Sequence, residues 1–259
     1  MEEVDSKIRP KSCPPAWNCS FNPRRWSPTS SNWRRFAACE ISRARRENGT
    51  LLLCDADHTD NYERDDLKIT MKVYLSTWST DQLRDSVTAL LDQLRVAVIE
   101  LLIISPPELT IVEGESEEAE TKRWVESVAI LWTEAEKLVA EGKVVTLGIS
   151  DASLVQLRSL CERHAIPSVN HVSTDSCCVV SPELSAFASQ KEIQLLTHTD
   201  PIPFPTADVF KTFCTLSADQ PVCYDSRFQT TWAARYTVWV RRRSIMASKG
   251  YIVQLQARD

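Results

Sequence analysis

From Leu67 to Pro201 the chain alternates between short apolar runs and amphipathic stretches, and this alternation limits the possible folds more than any other feature. Ile69, Met71, Val73 and Leu75 point one way along the first run while Thr70, Lys72 and Tyr74 point the other, the period of two that marks a strand. Behind Thr80, read as an N-cap, Leu83, Val87, Leu90, Leu91 and Leu94 recur at helical spacing. Val98 to Ile104 is almost continuously apolar, the pattern of a strand buried on both faces. Ser105-Pro106-Pro107 ends it, because proline cannot donate to a ladder. A second helix carries Trp124, Val128, Leu131, Trp132, Ala135 and Leu138 on one face and stops at Gly142. Strands expected at 144, 168 and 193 begin about 25 residues apart. Helices opened by Ser153 and by Ser181-Pro182-Glu183 separate them. Alternating units of this kind build a barrel or an open doubly wound sheet. With five glycines in the chain and no GxGxxG after any strand, a dinucleotide fingerprint is excluded.

The flanks differ in kind. Residues 1–50 hold five prolines, three tryptophans and paired arginines without a period, and are expected to be an irregular or disordered basic region. The barrel-type domain is expected over 51–259, beginning with a short strand at Leu51–Leu53. An extension follows from about 201, where Pro201, Pro203 and Pro205 form a stiff linker. Within the extension, Thr206 is expected to cap a short helix, Trp232 to Val240 to be a strand or helix end, and Gly250 to mark a turn. Residues 1–47 carry ten Lys/Arg against five Asp/Glu, and the remainder carries twenty against thirty. An acidic body argues against a nucleic-acid groove, which needs concentrated positive charge. No apolar run approaches the roughly 18 residues of a membrane span, and no secretory signal is apparent. Nine cysteines without a CxxC pair point to reduced thiols in the cytoplasm and away from a structural zinc site, so no metal is expected.

Three stretches resemble an aldo-keto reductase barrel: Glu141 to Asp151, Val169-Asn170-His171-Val172, and the strand Ile193–His198. In that family the first usually ends in Gly-x-Ser-Asn and the second in Asn-Gln. The segment from Asn170 through Cys177-Cys178 to Ala188, continuing from Ile193 to Pro201, more specifically resembles the regulatory (modifier) subunits of glutamate–cysteine ligase, divergent members of the superfamily. Ile104 to Pro107 and Ser248 to Ile252 share this likeness. The resemblance implies a degenerate TIM-type (β/α) barrel. It also implies a non-catalytic partner of the ligase catalytic subunit, forming a heterodimer that raises glutamate affinity and relieves glutathione feedback. The alternative is an NADPH-dependent oxidoreductase.

Reductases of this kind use Asp, Tyr, Lys and His at the strand ends, with Tyr as general acid. Lys72 stands in the place of the lysine, but Ser105 stands where the family has His, and serine cannot act as an imidazole does near pH 7. Asp57 and Tyr62 have the family's spacing, yet nine residues separate Tyr62 from Lys72, too few for the crossover helix. They are read as a chance match. Ser150 and Asn170 are the groups left to touch a nicotinamide carboxamide, and are read first as satisfied turn and strand-end polars. No NADPH site is expected, because no phosphate-binding motif follows Pro201 and Arg241–Arg243 read as a solvated strand end. His198 is read as a hydrogen-bonded core residue. Cys177 and Cys178 are candidates for a redox-sensitive contact with the partner chain.

Overall fold

The computed structural model describes residues 41–47, 50–55, 62–110, 112–174, 180–200, 228–243 and 245–257. Five parallel strands form its centre: β3 (Leu67–Leu75), β4 (Ile99–Ser105), β5 (Val144–Ser150), β6 (Val169–Ser173) and β7 (Gln194–His198). Four helices link them: α1 (Thr80–Leu94), α2 (Glu117–Ala140), α3 (Leu154–Arg163) and α4 (Pro182–Gln190). On the far side of β3 the sheet continues antiparallel through β8 (Phe228–Val240), β9 (Ile245–Ala257), β2 (Thr50–Asp55) and β1 (Ile41–Glu47). The strand order is therefore β1-β2-β9-β8-β3-β4-β5-β6-β7.

The helix starts are set by local chemistry. Ser153 forms a full capping box with Gln156, and Ser181 accepts from the amide of Leu184 ahead of Pro182. The cap of α1 falls one residue before the expected position: Ser79, not Thr80, accepts from the Gln82 amide. After α2 the chain passes through Gly142 at φ +73°, the left-handed geometry that glycine adopts without a Cβ penalty.

Leu102 and Ile104 of β4 join the core beneath the helices with Leu90, Val128, Trp132 and Leu157, while Leu101 and Ile103 pack on the opposite face with Val169 and Leu196. Burial on both faces explains the unbroken apolar run of β4. At Gly148, a Cβ would lie 3.2 Å from Ile103 Cγ1 and from the Cβ and carbonyl oxygen of Val169, so a side chain there would force these neighbours to give way.

Two expectations change. The stretch expected to be irregular contains β1 at Ile41–Glu47. Trp232–Val240 is strand, and Gly250 lies inside β9 opposite Tyr236 instead of at a turn. The helix expected after Thr206 lies outside the described residues. The degenerate barrel takes a specific form: β3 to β7 make its parallel wall, and the hairpin β8–β9 flanks β3 antiparallel. Asp200, just beyond β7, touches Lys72 on β3 and Arg235 on β8, so the wall is rolled into a barrel arc.

Candidate functional site

The polar side chains gather at the C-terminal ends of β3, β5, β6 and β7, where β/α barrels build their sites. Lys72 projects from β3 to the face away from the helices and is 2% exposed. Its Nζ lies 3.0 Å from Asp200 Oδ2, and Arg235 pairs with Asp200 Oδ1. Burial lowers the Lys72 ammonium to about 8, against the pull of Asp200. Burial alone would raise the Asp200 carboxyl, but Arg235 and Lys72 overcome it and hold the group well below the usual range. The Tyr74 ring sits 5.2 Å from Lys72 Nζ, and burial pushes its hydroxyl well above 10.

A second group is organised by Asp151. This residue follows β5 at φ +59°, a left-handed turn that Asp tolerates better than most residues. Its Oδ1 accepts from the Ser173 amide at 2.7 Å and its Oδ2 from Ser150 Oγ at 2.6 Å. His198 Nε2 lies 3.1 Å from both oxygens, while His198 Nδ1 accepts from the Asp200 amide. The imidazole therefore carries its proton on Nε2. Burial opposes ionisation of Asp151, yet the bonds from His198 and Ser150 keep its carboxyl below the ordinary value.

His171 packs against His198 with ring centroids 4.5 Å apart. Its Nε2 donates to the Thr197 carbonyl at 3.3 Å, and Nδ1 has no hydrogen-bond partner among the described residues. Burial, aided by Lys72, lowers its pKa to about 3. His171, His198 and Asp200 present ligand atoms within 4.8 Å of one another. A cation fits this set poorly: the Asp200 amide already uses His198 Nδ1, and two cations already hold the Asp200 carboxylate.

Of the residues singled out from sequence, Lys72 and Ser150 lie in this cluster. Asn170 adjoins it, fully buried, with both amide atoms bonded to the Ala152 backbone. Ser105 ends β4 beside Tyr74 in the ladder. Tyr62 is 39% exposed and precedes β3, whose first residue, Leu67, lies roughly 17 Å of strand from Lys72. Asp57, Cys177 and Cys178 lie outside the described residues. Sequence reasoning missed Asp151, His171 and Asp200 as site residues, although Asp151 and His171 replace the Asn and Gln of the reductase pattern. Arg235 was missed as well; a charge inside the apolar run Trp232–Val240 was its one signal.

Residues 50–202 match the sequence profile of the aldo/keto reductase family. The glutamate–cysteine ligase regulatory subunit of Homo sapiens is 32% identical over 219 residues, covering 82% of this chain and 76% of that protein. The chain belongs to the aldo/keto reductase family and, within it, to the glutamate–cysteine ligase regulatory subunits. The regulatory subunit of Mus musculus gives the same identity and coverage. A putative regulatory subunit of Schizosaccharomyces pombe is 28% identical over 138 residues, covering 52% of this chain and 45% of that protein. Among solved structures, an aldose reductase of Giardia lamblia aligns at 20% identity and TM-score 0.40, over 56% of this chain and 49% of its own.

Proposed function

We propose that this chain is a non-catalytic regulatory subunit that docks on the catalytic chain of a glutamate–cysteine ligase. The observation that carries the reading is the self-satisfied cluster at the strand ends, where Lys72 is committed to Asp200 and Asp151 to His198 and Ser150. A reductase needs a proton donor whose pKa lies near working pH. Ser105 cannot replace the missing imidazole. Tyr74, the tyrosine against Lys72, is driven in the wrong direction by burial. Tyr62 lies ahead of β3, before the turn Arg64–Asp66 that leads into the strand. The groups that would hold a nicotinamide carboxamide do not fit that task, because Asn170 is bonded to Ala152 and Ser150 to Asp151 and the His171 carbonyl.

The name of the relatives supports a ligase catalytic chain as the partner, and the heterodimer and a cytoplasmic location belong to the same reading. To raise glutamate affinity and relieve glutathione feedback, the subunit must bind the active state of the catalytic chain better than the inactive one. The test is co-purification with the ligase catalytic chain, followed by its rate against glutamate with and without this subunit. Complex formation with a lowered glutamate requirement is expected. Titration with NADPH, followed by nicotinamide fluorescence, is expected to show no saturable binding. Carbonyl reduction at ordinary enzymatic speed would overturn the reading.

A further inference from the structure

Lys72 and Arg235 stand directly opposite each other in the β3–β8 ladder, and Lys72 is buried. Like charges facing across a sheet destabilise it, so this pair needs an anion between them. The anion present is Asp200, 3% exposed, which gives one carboxylate oxygen to each cation. Asp200 belongs to neither strand. It follows β7, four strands from β3 in the sheet order. A flat sheet would separate β3 from β7 by roughly 19 Å, a gap that one Lys–Asp contact cannot bridge. Among the described residues no strand pairing joins β7 to the β8–β9 hairpin.

We propose that Lys72 and Arg235 form a carboxylate-binding site whose occupant is the chain's own Asp200, and that this internal ligand clasps the end of β7 to β3 and β8. The two cations recognise a carboxylate by its pair of oxygens. The Asp200 amide also bonds His198 Nδ1, so the clasp and the His198–Asp151 group hold the same segment in place. The site goes beyond the regulatory reading and does not depend on it.

Removing the side chain in Asp200→Gly leaves the receptor without its ligand and makes room for a free one. Melting of the full chain is measured in sodium formate and in sodium chloride at matched ionic strength. The variant is expected to melt roughly 10 °C below the parent in chloride. Formate is expected to recover at least half of that loss and to leave the parent unchanged. Equal behaviour in the two salts, or a variant that melts like the parent, overturns the proposal. If Asp200→Gly does not fold, Asp200→Asn carries the test by hydrogen exchange. Faster exchange confined to β7 and the strand segments around Lys72 and Arg235, with α1 and α2 unchanged, supports the clasp. Uniform or absent change overturns it.

Discussion

At the scale of the residue, the chemistry turns on burial. His171 is held neutral in the folded chain, with a pKa of about 3, whereas the unfolded chain binds a proton near the ordinary histidine value. Between these two values the unfolded state carries more protons, so stability rises with pH and is lost as pH falls from about 6.5 toward 3. Asp151 and Asp200, both held below the usual carboxyl range, add a further loss as acid reaches their folded values. Urea unfolding against pH should show this slope, at most about 1.4 kcal/mol per pH unit for one proton. His171→Gln, which removes the titrating imidazole, should flatten the profile between pH 6.5 and 4. An unchanged profile would mean that the imidazole is not the group responsible. The cluster shows why single positions mislead: the partner of Lys72 is a carboxylate 128 positions away.

At the scale of the element, the helices and parallel strands follow rules that act over a few residues. Ser153 closes a capping box at α3, and Ser153→Ala should cost about 1 kcal/mol in chemical denaturation. β5 is constrained differently. Its Gly148 faces a fixed carbonyl as well as two side-chain atoms, so Gly148→Ala should destabilise by about 1–3 kcal/mol. If that variant unfolds at the parent's denaturant midpoint, the β5–β6 approach is looser than the geometry states. The hairpin was the element least legible in the sequence. Of its two thirteen-residue strands, the first reads locally as a strand or a helix end, and the second contains Gly250, which reads locally as a turn. Pairing to β3 settles the first as strand, and pairing within the hairpin overrides the turn.

At the scale of the whole molecule, the hairpin is part of the core and not an appendage. Trp232, Ala234, Tyr236, Val238 and Ile252 are all at most 1% exposed and share the core with the helix-facing residues of β3. A chain ending at residue 227 should lose its cooperative unfolding transition and expose the flank of β3, as followed by near-ultraviolet circular dichroism and hydrogen exchange. A native-like spectrum from that truncation would show that the parallel wall is stable alone.

The sequence by itself determined the alternating β/α wall, the helix caps at Ser153 and Ser181, and the family, because each is written in adjacent residues or in short motifs. It also made Asn170 and His198 legible as hydrogen-bonded interior groups. Only the tertiary structure decided that Lys72 meets Asp200 and Arg235, that Asp151 binds His198, and that an antiparallel hairpin flanks β3. Those contacts join residues far apart in the chain. Their energies arise from burial and paired charge that exist only after the strands have assembled, and no local pattern of side chains encodes them.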